Sequence, residues 1–304
     1  MEVERSGLVE SRHRGVLVHV QPDGTVDWAI GDPETVIFPR SANKPIQAMA
    51  MLEAGLPLAG PELAIATSSH HGEVMHLEQV RAVLRRAGLD ESALQTPASW
   101  PDSPHEHARV IREGGGKAPI LMDCSGKHAA MLLTCVLHGW TTHDYLAPEH
   151  SLQRQVTETF ARLTGAPPDV VGIDGCGAPL LATSVVRLAR AIGSIATGGT
   201  EESRRLVAAI TAHPTLVSGT RAPERHFIEG LPGVIAKTGA ESTMVVGWPD
   251  GSALVGKIED GSARALTVAM SRAVEVLGGP VVLSEPRPEV LGGGRPVGEI
   301  RPAF

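Results

Sequence analysis

Apolar residues alternate with polar ones near both ends of the chain and recur every three to four positions in between. Gly15–Val20 is rich in β-branched residues, Pro22-Asp23-Gly24 turns the chain, and residues 25–30 return, which predicts a hairpin. A short extended piece over 36–39 leads into a helix over 45–54, where Ile46, Met49, Ala50 and Leu52 recur at helical spacing and Gly55 supplies the stop. Leu77, Val80, Leu84 and Ala87 repeat that spacing ahead of Gly88. Further helices are predicted over 127–137 before Gly139, over 152–163 before Gly165, from Pro179 to Ile192, and over Glu201–Ala212 before Pro214. Strands return over 234–238, 243–248 and Ala253–Ile258, the last two flanking the turn Pro249-Asp250-Gly251. A helix over 264–277 follows, and the Gly/Pro-rich stretch 278–304 reads as loosely ordered.

Strands at both ends with helices between them, rather than alternating β and α units, indicate the α+β class. The economical architecture is one catalytic domain. An antiparallel sheet is built from N- and C-terminal strands (sheet lobe about 1–40 and 230–304), with a helical lobe inserted over about 41–229. No internal repeat or linker interrupts it.

Composition agrees with this picture. Of 304 residues, 42% are hydrophobic and only 3% aromatic, so the core is built mainly from Ala, Val, Leu and Ile. A net charge of −7 provides no basic stripe, which excludes nucleic acid and anionic membrane surfaces as partners. The first ten residues are charged and lack a signal-peptide core, and no apolar run is long enough to span a bilayer. Three cysteines (Cys124, Cys135 and Cys176) are too few for a disulfide framework and point to a reducing, cytoplasmic compartment.

The chemistry concentrates in a few short motifs. Arg40-Ser41-Ala42-Asn43-Lys44-Pro45 stands between an extended run and a helix start. Residues three apart in a first helical turn share a face, so the Ser41 hydroxyl and the Lys44 amine can meet. A serine becomes a nucleophile only when a base takes its proton, and lysine serves as that base only where burial or a second cation favours its neutral form. The same spacing is also common at ordinary helix starts with an N-capping serine and a solvated lysine. Context favours catalysis, because Ala236-Lys237-Thr238-Gly239 lies in a predicted strand near the C-terminal end. A Ser-x-x-Lys helix start followed by a distant Lys-Thr-Gly strand is the arrangement of penicillin-recognising serine enzymes. An edge-strand lysine that guards against aggregation is the plainer account of Lys237. Between these motifs, Ser69-His70-His71-Gly72-Glu73 offers either a second hydroxyl or a helix N-cap.

Asp123-Cys124-Ser125-Gly126-Lys127-His128 opens a helix, and Asp174-Gly175-Cys176-Gly177 is a Gly-rich turn. A thiol at a helix N-terminus tends toward thiolate, and two thiolates with a nitrogen suit Zn²⁺. From residue type alone His128 is the conventional nitrogen. Two buried cysteines acting as small hydrophobes, or Cys124 as a nucleophile with His128, are the alternatives. Cys135 reads as core. Gly114-Gly115-Gly116-Lys117 lacks the spacing of a phosphate loop, and His105-Glu106-His107 reads as a solvent-facing loop.

Taken together, Ser11-Arg12-His13-Arg14-Gly15, the Ser41–Pro45 block, Ser69-His70-His71-Gly72-Glu73, Cys124-Ser125-Gly126-Lys127-His128, Asp174-Gly175-Cys176-Gly177, His213-Pro214, Ala236-Lys237-Thr238-Gly239-Ala240-Glu241 and Lys257-Ile258-Glu259-Asp260-Gly261 cover nearly the whole chain in order. In these blocks the chain resembles the asparaginase family typified by rhizobial inducible asparaginase. That resemblance implies a fold like serine β-lactamases and glutaminases and hydrolysis of the side-chain amide of L-asparagine by a homodimer. It implies two Ser–Lys pairs, Ser41 with Lys44 and Ser69 with Lys237. It also implies a zinc site at Cys124, Lys127 and Cys176, with the lysine rather than His128 as nitrogen ligand. Arg40, His70, Asp174 and Gly239 are then expected around the substrate. Asp123 stands where the family commonly has Asn, and Ser242 where Gly is frequent. The rival expectations are another Ser-x-x-Lys amidohydrolase, acting on glutamine, a β-lactam or a peptide, and a zinc or amino-acid binding module without turnover.

Overall fold

In the computed structural model, which describes residues 1–282 and 288–304, the alternating segments from the two ends of the chain pair with one another. In chain order the strands are β1 (Glu2–Arg5), β2 (Leu8–Arg12), β3 (Gly15–Val20), β4 (Val26–Ile30), β5 (Val36–Ile37), β6 (Val171–Ile173), β7 (Pro179–Leu181), β8 (Thr183–Ser184), β9 (Ile235–Gly239), β10 (Thr243–Gly247), β11 (Ala253–Ile258), β12 (Val290–Gly292) and β13 (Arg295–Arg301). Five of them form the central antiparallel sheet in the order β4-β3-β11-β10-β9. Both expected hairpins are in it, β3–β4 and β10–β11. The joint between the halves of the chain is β3 on β11, with Val18 opposite Val255.

Every residue of β10 is buried, because helices cover both faces of the sheet. A Cβ on Gly247 would meet Ile192 and Ala196 of the helix Val185–Ala196, whereas one on Gly256 would meet Met270 of the helix Ala263–Val276. The remaining helices lie between residues 44 and 230, and the class is α+β. Two of the expected stops are left-handed C-caps: Gly139 at φ 65° ends Ser125–His138, and Gly165 at φ 76° ends Ser151–Thr164. Among the described residues no helix is long and apolar enough to cross a membrane.

Three expectations are corrected. The stretch 278–304 is not loose in its described part: β12 and β13 join β1 and β2 in a second antiparallel sheet, with Glu2 opposite Arg301, while positions 283–287 lie outside the described residues. This sheet buries only a small cluster, Val3, Val290 and Ile300, and carries ion pairs on its surface, so its strands have no strong apolar alternation to betray them. Pro179 opens a strand instead of a helix. It pairs with Ile173, a strand start being one of the few sheet positions where a missing N–H is tolerated, and the helix begins at Val185. His105-Glu106-His107 belongs to the helix Pro104–Arg112, capped by Ser103, with Glu106 buried and bonded to Arg109 at 2.7 Å.

Candidate active site

The chain leaves β5 through Pro39 into a 3₁₀ turn, Arg40–Asn43, which runs directly into the helix Lys44–Glu53. In a 3₁₀ turn positions i and i+3 eclipse, which stacks Ser41 and Lys44 on one side. The helix is apolar almost all round and sits in the middle of the core, so Lys44 is drawn in with it to 1% exposure while Ser41 stays half-buried. Arg40 adopts a left-handed backbone at φ 52°, a conformation that is strained for a residue bearing a Cβ.

Lys44 Nζ donates to the Ser68 carbonyl and to Ser69 Oγ (2.9 Å), and Asp123 Oδ2 lies 3.9 Å away. Burial pushes the Asp123 carboxyl up, but Lys44 and His70 outweigh it and hold the carboxylate below its usual range. Ser69 is itself fixed by its backbone: Ser69 N–H donates to Val217 O (3.1 Å), and His71 N–H to Ser218 O (2.7 Å). A cleft of about 420 Å³ lined by His71, Glu73, Asp102, Ser103 and Thr220 opens beside this segment.

The expected pairing is therefore rearranged. Among the described residues Ser41 Oγ makes no hydrogen bond to Lys44, whose amine is engaged by Ser69. Lys237 does not meet Ser69. Its Nζ donates to Glu224 Oε1 (2.6 Å), Ser218 Oγ (3.1 Å) and Thr238 O (3.1 Å). Lys237 lies on the edge strand β9 yet is 1% exposed, because the Arg40–Asn43 turn and the helix Pro223–Gly230 pack over that edge. Burial lowers its basicity, Glu224 opposes that, and Lys44 reinforces it. Burial would raise the Glu224 carboxyl, but Lys237, Ser218 and Thr238 hold it down to about 2. With Glu224 as counter-charge, Lys237 is not an uncompensated cation beside Lys44.

Glu224 went unread because 223–230 has no long apolar period, although Pro223-Glu224 is a recognisable helix start. A buried lysine on β9 requires a carboxylate nearby, and that was the available signal. Gly239, two residues beyond Lys237 on β9, lies against the Arg40–Asn43 turn. A Cβ there would stand 2.3 Å from Pro39 O and 3.2 Å from Ser41 N.

Arg40 Nε bonds Asp174 Oδ1 at 2.7 Å, which brings these two expected residues together. His70 takes another part than expected. It is fully buried, Nδ1 accepts from Gly72 N–H (3.1 Å), and Nε2 donates to Ser125 Oγ (2.7 Å), whose hydroxyl passes on to Ile120 O. Both ring nitrogens are spent on holding the loop, so none is left for a ligand. Burial, helped by His76, lowers its basicity from 6.5 to about 3. Because the folded value lies below the unfolded one, the unfolded chain binds the extra proton inside that window. Stability is expected to fall as pH drops from 6.5 toward 3, by up to about 1.4 kcal/mol per pH unit from this group. Urea denaturation across that range is expected to show a shallower slope for His70→Asn, whose amide oxygen can still accept from Gly72. An unchanged slope would remove His70 as the cause.

Cys124, Lys127 and Cys176 also converge. Lys127 Nζ donates to Cys176 Sγ at 3.3 Å, and Cys124 and Cys176 pack in one small buried cluster with Ala178. The Cys124 thiol beside it and the Lys127 charge hold Cys176 far below the usual thiol range, against burial, whereas contact with Cys176 and burial push Cys124 up. The Lys127 ammonium, donating to Cys176 Sγ, thus favours the thiolate form of Cys176 over that of Cys124. Cys135 is buried in the main core, as expected. His128 Nδ1 meets Tyr145 Oη at 2.8 Å, and its buried ring also interacts with Cys176. Among the described residues no three His, Cys, Asp or Glu side chains form a metal-binding group, so a metal here would need the Lys127 amine.

The sequence model of the family described as L-asparaginase II matches residues 1–302. No curated protein matches the chain. Among solved structures it is similar to a β-lactamase from Mycobacterium bovis, at 16% identity over 88% of this chain and 95% of that one, with a TM-score of 0.49. It is also similar to Mglu in its native form (15% identity, 92% and 68% covered, TM-score 0.49) and to a probable glutaminase, ybaS (14% identity, 88% and 86% covered, TM-score 0.37).

Proposed function

The chain belongs to the L-asparaginase II family of amidohydrolases, and from that premise we propose that it hydrolyses the side-chain amide of L-asparagine with Ser41 as nucleophile and Lys44 as its base. One observation carries the reading: a buried amine, Lys44, lies one 3₁₀ turn from the half-buried Ser41 and in hydrogen-bond contact with a second hydroxyl, Ser69. Ser41 Oγ attacks the amide carbon and its proton passes to Lys44. Ser69, 2.9 Å from that amine, relays a proton to the departing ammonia. The backbone N–H groups of Ser41 and of β9 at Gly239 hold the developing oxyanion, each worth about 3–4 kcal/mol. Water then attacks the acyl-enzyme and regenerates Ser41. Lys237 contributes a fixed charge held by Glu224 instead of a second base. Arg40 takes the substrate α-carboxylate with the guanidinium nitrogens that Asp174 leaves free, since its bond to Asp174 uses Nε alone among the described residues.

Zinc belongs to the same reading, and the donor set fits it. The Lys127 charge favours the thiolate form of Cys176, while Cys176 and Cys124 outweigh burial and raise the basicity of Lys127, so binding the ion would have to release the protons of Cys124 and Lys127. Cys124, Lys127 and Cys176 would hold the ion, which when bound would supply a Lewis-acidic positive centre. The reading also includes a cytoplasmic homodimer.

Ammonia release from asparagine and from glutamine, with and without a chelator, tests it. Asparagine is expected to be preferred by at least about tenfold, the usual discrimination for one methylene. Chelation is expected to lower the thermal midpoint as a structural ligand is lost. Equal release from glutamine would make it a general amidohydrolase, and binding without release would make it a binding module.

A further inference from the structure

We propose that Glu224 is a positioning residue for this reaction, supplying the counter-charge of Lys237 and tying together the two backbone segments that flank Ser41 and Ser69. The inference rests on the reading above and adds a residue that does not touch substrate. Glu224 is fully buried in the first turn of the helix Pro223–Gly230. Its Oε1 accepts from Lys237 Nζ (2.6 Å), Thr238 Oγ1 (2.7 Å), Thr238 N–H (3.3 Å) and the Ser218 hydroxyl.

Each of these partners leads to the site by a short path. Thr238 precedes Gly239, whose Cα lies against the backbone of the Ser41 turn. Ser218 O accepts from His71 N–H, and Val217 O from Ser69 N–H. One carboxylate oxygen therefore ties β9 at Lys237 and Thr238 to the 217–218 segment at Ser218. It also opposes the loss of basicity that burial and the nearby Lys44 impose on Lys237. Buried ion pairs are seldom needed for stability, since apolar pairs of similar volume often replace them without loss. That makes alignment and charge, rather than stability, what the pair contributes.

The test compares Glu224→Gln, Lys237→Met and the paired replacement Glu224→Leu/Lys237→Met. Readouts are kcat and KM for asparagine across pH, labelling of Ser41 by a fluorophosphonate, and the melting temperature. Glu224→Gln is expected to lower kcat by about 100-fold with KM nearly unchanged. The alkaline limb of its pH–rate profile should move to lower pH, because Lys237 without its counter-charge gives up its proton sooner. The paired apolar variant is expected to melt at or above the wild-type temperature and still be slow. A Glu224→Gln enzyme with wild-type kcat and pH profile would overturn the proposal, as would a folded paired variant with wild-type turnover. If Glu224→Gln does not fold, the paired variant decides. If the wild type releases no ammonia at all, the asparaginase reading fails separately, and slower Ser41 labelling in Glu224→Gln still reports on the positioning role.

Discussion

Ser41→Ala is expected to reduce ammonia release from asparagine by about 10⁴-fold or more, Lys44→Met by a similar factor, and the double variant by no more than either alone. A nucleophile and its base act as one unit, so removing the second after the first changes little. Methionine is the better probe at position 44 because it fills the space of the fully buried lysine stem, whereas alanine would add a cavity of its own. Ser69→Ala is expected to cost less, about 10²-fold, since it loses a proton relay rather than the attacking atom. Steady-state kinetics on folded variants, verified by circular dichroism, would measure all four. Normal turnover in Ser41→Ala together with a dead Cys124→Ala would transfer the chemistry to the thiol.

Gly239→Ala is the second large effect. The added methyl would stand 2.3 Å from Pro39 O, 2.9 Å from Ala42 N and 3.2 Å from Ser41 N, all backbone atoms that cannot swing aside. Either β9 or the Ser41 turn must retreat. Overpacking of this kind costs about 1–3 kcal/mol. A shift of about 1 Å at the reacting atom costs about 100-fold in rate. The matched control is Gly116→Ala, where a Cβ meets nothing within 4 Å and φ is not left-handed, so stability and rate should both hold. Thermal melts and kcat for the pair would settle it, and a Gly239→Ala enzyme with unchanged rate would mean that β9 does not brace the nucleophile.

The parts of this protein most easily read from the chain were those with one strong local signal. The hairpins at Pro22-Asp23-Gly24 and Pro249-Asp250-Gly251, the helix Glu201–Ala212 and the strand Ala253–Ile258 all combine an apolar period with a turn or stop residue. Elements stabilised mainly by their neighbours were illegible. β1 and β13 are charged strands with a small apolar cluster beneath them, and the helix Pro223–Gly230 is short. The site divides in the same way. Spacing brought Ser41 and Lys44 to one side of a turn, but it could not say which hydroxyl each lysine would touch. That choice depends on where 68–71 and 217–224 cross, 24 to 180 positions further along than Lys44, and on Glu224, whose only local signature is a proline before it.

Arg40 sits in a left-handed backbone beside Ser41, a conformation that costs about 1–2 kcal/mol for a residue with a side chain. Glycine would relax that backbone and forfeit the guanidinium that Asp174 orients. Directed evolution for heat tolerance alone would therefore be drawn to position 40 as a sink, and libraries selected that way need an activity screen in parallel. A thermostable descendant carrying glycine there would have exchanged the Arg40–Asp174 ion pair for comfort of the chain.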